Sequence, residues 1–202
     1  MGQVRSLIRI CVLLAAPIGL AACGSTSGTA PSLSATSGPS YPGINCAPFA
    51  RELSGIALYG DAASWWDQSR GRYRRANRPM LGAALVFRRE PRLPAGHVSV
   101  VTRLIGPRQV AVTQANWVPN ELDQDQLVVD VSPANDWTEV RVWWPPSGLL
   151  GSHEYSAYGF ILPPASASRD ELEQATPIAA QIAVSSATGR PLPRARMLAR
   201  GS

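Results

Sequence analysis

The chain of 202 residues contains no lysine: all 19 of its basic residues are arginine, set against 14 acidic ones. The resulting net charge of +5 is too small to imply nucleic acid. No basic helix, zinc-finger spacing or RNA-binding signature accompanies it. Histidine is scarce, with only His97 and His153. Cysteine is scarce too, with Cys11, Cys23 and Cys46. The acidic stretch "DQDQ" at 123–126 lacks the glycine and the terminal glutamate of a calcium loop. No metal and no cofactor is therefore expected. Hydrophobic residues make up 45% and charged residues 16%, as in an ordinary folded domain.

Residues 1–22 open on a short basic stretch, "MGQVRSLIR", followed by the apolar run "ICVLLAAPIGLAA". This is the layout of a secretory signal, and the run is too short for a convincing spanning helix. It ends in "LAAC", residues 20–23, which resembles a bacterial lipobox. In such signals the cysteine is acylated and becomes the first residue, so Cys23 is the expected lipidation site and membrane anchor. The alternative is an ordinary signal peptide with an incidental Cys23. Loss of Arg5 and Arg9 with the leader leaves 17 arginines against 14 acidic residues, a net +3 that suits an anionic polymer or lipid surface. An envelope location follows, and Gly24 after the cysteine favours the periplasmic face of an outer membrane.

Cysteine arithmetic then raises a question. Cys11 leaves with the leader and Cys23 carries lipid, so Cys46 remains without a disulfide partner. A lone thiol in an oxidising compartment is either a small buried hydrophobe or a working group.

The organisation reads as a leader at 1–22, a lipidated Gly/Ser/Thr/Ala/Pro tether at 23–40, a folded domain at 41–162 and a partly disordered tail at 163–202. Asn45 is a good N-cap, and Phe49, Leu53 and Ile56 follow at helical spacing. A helix is expected there, with Cys46 at its start and Pro48 in its first turn. A short second helix is expected from Asp61, and "GRYRRANRP" reads as an arginine-rich loop. Strands are expected at 82–89, 96–105, 108–117, 126–131, 138–144 and 158–162, with a hairpin turn at "IGPRQ". Helices first and a meander of strands after predict an α+β fold with an antiparallel sheet. One tryptophan of the pair Trp143 and Trp144 should be core.

A helix N-terminus favours a thiolate, and a cysteine nucleophile needs a base and an orienter for that base. His97 opens a strand, whereas His153 reads as a solvated loop residue beside Glu154. On the adjoining hairpin strand, Asn116 lies at the end nearest His97, and Gln114 faces the same side two residues earlier.

The order "NCAPFAR…GDAASWW…RPMLGAALVF…GHVSVV…VTQANW" resembles the CHAP family, the cysteine- and histidine-dependent amidohydrolases and peptidases. The resemblance covers about residues 41–117. It implies a papain-like fold with an N-terminal helix packed on an antiparallel sheet, and hydrolysis of amide bonds in peptidoglycan. The family's nucleophile falls on Cys46 and its histidine on His97. Many members carry glutamate two residues before an asparagine. Here Gln114 stands in the glutamate's place, so Asn116 is taken as the third catalytic residue and Gln114 as a supporting one. The Cys46 N–H, with Tyr41 or Asn45, would stabilise the oxyanion. Two competing readings are a catalytically silent wall-binding or scaffold lipoprotein, and an enzyme of the same fold acting on another amide.

Overall fold

The computed structural model describes residues 37–164 and 180–182. The expected leader, Cys23, most of the tether and most of the tail lie outside the described residues.

Helix α1 spans Cys46–Ser54. The Asn45 side chain accepts the Cys46 N–H at 3.0 Å and so caps a first-turn donor that the helix cannot satisfy. Pro48 falls in that first turn, where its missing N–H costs nothing. Gly55 ends the helix at φ 68°, a left-handed turn that glycine adopts without strain. Cys46, Phe49, Ala50 and Leu53 form its buried face. Removing the wholly buried Phe49 ring would cost about 3–5 kcal/mol. After a short 3-10 turn at Ala62–Ser64, α2 spans Trp65–Gln68.

Eight strands follow: β1 (Arg75–Ala76), β2 (Ala84–Phe87), β3 (His97–Gly106), β4 (Gln109–Ala115), β5 (Leu122–Asp130), β6 (Glu139–Trp144), β7 (Leu149–Leu150) and β8 (Tyr155–Ile161). Each of β2 to β6 pairs antiparallel with the next, β2 through β3 and β4 to β6. The last long strand, β8, pairs with both β2 and β6. The sheet therefore closes into a barrel of six strands, which leaves few free edges. The expected meander is present, and its closure through β8 is an addition.

The two faces of the sheet bury different clusters. Ala84, Val86, Val98, Val100, Ala115 and Leu122 turn outward and pack with the α1 residues. Leu85, Phe87, Val110, Val112, Val128 and Phe160 turn inward and fill the barrel. The unbroken apolar run at 83–87 reflects burial on both sides.

Several expectations need correction. The arginine-rich loop contains β1, which pairs Arg75 with Ile161. Arg75 is held there by Ser69 Oγ, by the Trp66 carbonyl and by the face of the Trp66 ring. Strand β5 starts at Leu122 rather than 126, because the edge beyond it is occupied. Leu122 N–H donates to Pro39 at 3.1 Å, and Ser40 bridges Glu121. Residues 39 and 40, assigned to the tether, thus belong to the fold. Ile182, assigned to the tail, is buried in the α1 cluster. Neither Trp143 nor Trp144 is core: Val140 and Val142 supply the inward positions of β6. Trp144 continues that inward row past the end of the barrel and is 38% exposed.

Candidate active site

The ends of β2, β4 and β6 and the starts of β3, β5 and β8 meet at one end of the barrel, because neighbouring strands run antiparallel. His97, the first residue of β3, stands at this mouth, opposite Phe87 in register. Gly96 makes that position possible. It adopts φ +71°, and a Cβ there would lie 2.6 Å from the Ala63 Cβ and 2.8 Å from the Phe87 carbonyl oxygen. The 3-10 turn closes on the same spot, with Ala63 N–H donating to Ala95 at 3.0 Å. Only glycine lets the chain pass beneath that turn and deliver His97 to the mouth.

Cys46 reaches the same region from the start of α1. Its sulfur lies against the N–H groups of Val98, Ala47 and Cys46 itself, and Val98 directly follows His97. These donors pull the thiol pKa down, as a helix start should. Burial outweighs them, and the pKa is raised above its usual value of 9.0. With 9% of its surface exposed, Cys46 does not rest as the ready thiolate expected of a helix N-terminus.

His97 is 3% exposed. Its imidazole packs on Phe87 at 5.5 Å and on Trp117 at 4.9 Å between ring centroids. Burial lowers its pKa to about 4, against the opposing effect of its hydrogen bond to Gln114. It therefore rests as neutral imidazole at ordinary pH.

The side chain that meets His97 differs from the expected one. His97 Nε2 lies 3.0 Å from Gln114 Oε1, with both side chains buried. The expectation that Asn116 would meet the histidine is not met. Asn116 sits just beyond β4 at φ 61°, exposed, where the chain turns away from the strand. Its Oδ1 accepts the Asn120 N–H at 2.9 Å. Asparagine tolerates this left-handed conformation better than most residues. Asn120 in turn takes the Gly43 N–H on its side chain at 3.0 Å and the Tyr41 N–H on its carbonyl. Asn116 thus organises the loop that fastens the segment leading to Cys46.

Tyr41 packs against the α1 cluster. Asn45 Oδ1 occupies the Cys46 N–H, so an incoming oxyanion would have to displace it.

Two features of this end were not foreseen. His153, taken for a solvated loop residue beside Glu154, pairs with Glu90 at 2.9 Å and packs edge-on to Tyr155 at 4.4 Å. Trp117 and Tyr155 pack together at 4.9 Å, so rings run without a break from His97 to His153. The other is Asp123, which faces Gln114 in register on β5. Its carboxyl is fully buried, and burial raises its pKa to about 6. The N–H groups of Val118 and Gly38 oppose that shift, and Glu121 adds to it. Among the described residues no group of His, Cys, Asp and Glu is arranged to hold a metal ion.

No curated protein matches the chain. The sequence profile of the CHAP domain does, over residues 36–116, a span that takes in Cys46, His97 and Gln114 and ends on Asn116. CHAP domains are generally amidases or peptidases that act on peptidoglycan. The helix that carries Cys46 and the strand that opens on His97 fall inside that match, so residues 36–116 are similar to a CHAP domain, while β5, β6 and β8 lie beyond it.

Proposed function

We propose that the protein is an envelope-anchored cysteine hydrolase of papain-like mechanism that cleaves amide bonds in peptidoglycan, as an amidase or an endopeptidase. One observation carries the reading: the buried hydrogen bond between Gln114 and His97, one residue before Val98, whose N–H faces the Cys46 sulfur. With Oε1 of Gln114 facing it, Nε2 of His97 must carry the proton, because a carbonyl oxygen can only accept. The other ring nitrogen, Nδ1, then keeps its lone pair for the thiol.

In this mechanism Nδ1 takes the Cys46 proton as the sulfur bonds to the substrate carbonyl carbon. The carbonyl π pair moves to oxygen, and the oxyanion competes with Asn45 for the Cys46 N–H. Collapse of the tetrahedral species breaks the C–N bond, and the amine leaves with the proton from Nδ1. Water, deprotonated by Nδ1, opens the thioester and restores the thiol. Gln114 serves where many family members have glutamate. It fixes the tautomer without adding a negative charge, so the resting pair is neutral thiol and neutral imidazole. Asn116 and Tyr41 act through the backbone of the loop that leads to Cys46.

Digestion of purified peptidoglycan, with mass spectrometry of the released fragments, tests the reading. New amine and carboxyl termini that vanish in Cys46→Ala are expected, and their mass identifies the bond. Intact wall after prolonged digestion would sink it. The competing reading is a silent scaffold, and the buried, high-pKa thiol favours it. Iodoacetamide separates the two. A working site should alkylate faster as pH rises while the protein stays folded, whereas a scaffold cysteine should react only on unfolding.

Anchoring through Cys23 is part of the same proposal. Cys23→Ser should leave the protein uncleaved or soluble on fractionation. A variant that remains processed and fully membrane-bound would refute lipidation at that residue.

A further inference from the structure

Beside the catalytic groups, the barrel mouth opens into a groove of about 200 Å³ lined by Arg92, Trp117, Trp144, Ser152, His153 and Tyr155 among others. Trp117 forms a shared wall, since its ring packs against His97 as well as lining the groove. The groove therefore begins one ring from the catalytic imidazole. Successive centroid distances of 4.9 Å to Trp117 and 4.9 Å to Tyr155 put the Tyr155 ring no more than about 10 Å from the imidazole. An extended chain covers that span in about three residues, at roughly 3.3–3.6 Å each.

The polar groups at the groove are unequal in what they have left to offer. Glu90, the nearby carboxylate, is engaged by His153 at 2.9 Å. Arg92 is exposed and has no hydrogen-bond or ion-pair partner among the described residues. Its charge reaches the Tyr155 hydroxyl, so the guanidinium sits close to the aromatic wall. Ser152 adds an exposed hydroxyl. An uncommitted guanidinium beside flat rings fits an anion carried on an apolar or CH-rich body. An amine or metal ion would meet Arg92 with like charge.

We infer that this groove is a substrate subsite for a free carboxylate two or three residues from the scissile amide, bound by Arg92, with Trp144 and Tyr155 packing on the adjoining segment. This rests on the hydrolase reading, and peptidoglycan offers such groups in the free carboxylates of its peptide stems. The subsite sets which stems are accepted: amidating that carboxyl removes the charge Arg92 recognises.

The test is binding to the full-length Cys46→Ser protein, which cannot turn substrate over. Titration calorimetry compares two soluble stem-peptide fragments that differ only in carrying a free carboxylate or its carboxamide. The carboxylate form should bind about tenfold more tightly, and Arg92→Gln should abolish that preference, bringing the carboxylate form down to the affinity of the carboxamide. Arg92→Lys should restore part of it. Trp144→Ala should weaken both ligands alike. Equal affinity for the two fragments, or a preference that survives in Arg92→Gln, would overturn the assignment. Turnover of the same fragments by the unsubstituted protein is a separate arm. Its absence would count against the hydrolase and leave the Arg92 result standing on the calorimetry alone.

Discussion

The two histidines stand at opposite ends of one run of aromatic rings, and their partners differ in kind. His97 is buried against Phe87 and Trp117 and meets the uncharged oxygen of Gln114. His153 is partly exposed, next to the groove, and meets the carboxylate of Glu90. Both pairs are close, at 3.0 and 2.9 Å, so distance alone does not separate a base from an anchoring residue. Environment does. Burial with a neutral partner keeps His97 unprotonated, the state the proposed base needs. A carboxylate partner at the surface suits a group that holds a loop or contacts a ligand.

The largest effect that tests this contrast is removal of each ring. His97→Ala should lower kcat/KM by at least about 10³-fold, within the range for a lost general base. His153→Ala should cost less than about tenfold and act mainly through KM, as befits a groove residue. Steady-state kinetics on soluble wall fragments, with folding checked by circular dichroism, gives both values. Equal losses would erase the distinction.

Next in size is the contest between Gln114 and Asn116. Gln114→Ala removes the tautomer-fixing acceptor and should reduce kcat by about 10²-fold with little change in KM. Asn116→Ala strains a residue at φ 61° and loses the bond to Asn120, so it should lower the melting temperature and affect kcat less. Asn116→Gly should recover most of the stability, because glycine accepts the backbone angle. A severe kcat defect in Asn116→Gly beside a mild one in Gln114→Ala would restore asparagine as the orienter.

That contest also marks where sequence reading stops. Both residues fall in one expected strand (108–117), two apart, with an amide oxygen each, and sequence spacing assigns them to one face. What separates them is the end of β4 at Ala115, fixed by a positive φ at Asn116 that a helix or strand pattern does not carry. The α1 start, the β3–β4 hairpin and most strands were legible, because caps, Gly/Pro boundaries and β-branched runs are local signals. The pairing of β8 with β2 that closes the barrel and the Glu90–His153 pair depend on contacts more than 60 residues apart, and local patterns say nothing of those. The aromatic wall was equally hidden: Trp117 and Tyr155 come from different loops and strands.

A smaller effect concerns pH. The proposed attack needs neutral His97, so the acid limb of kcat/KM should lie near pH 4, where the imidazole protonates. The stability sign agrees. A histidine whose folded pKa is depressed from 6.5 to about 4 favours folding when neutral, and that contribution is lost as pH falls through this window. Gln114→Glu places a carboxylate where the amide oxygen stood and favours the imidazolium. Its acid limb should move up by about one unit or more. A limb unmoved by that charge would mean that another group sets it.

The smallest effect is expected at Asp123, and it has the opposite slope to His97. Its folded pKa of about 6 lies above the ordinary 3.8, so the fold prefers the protonated carboxyl. Ionisation then costs stability as pH rises from about 4 through 6, and the whole cost is present above that. Asparagine keeps the shape and cannot ionise. Asp123→Asn should therefore raise the melting temperature by about 3–6 °C at pH 7.5, and the gain should shrink to nothing near pH 4. The side chain also faces Gln114 across β4 and β5, so the kinetics of the same variant are informative. If Asp123 only bears a burial cost, kcat stays within twofold while the melting temperature climbs. A melting temperature that falls at pH 7.5 would show that the ionised carboxylate is wanted there, as an acceptor for the neighbouring Gln114 amide, and kcat should then fall with it.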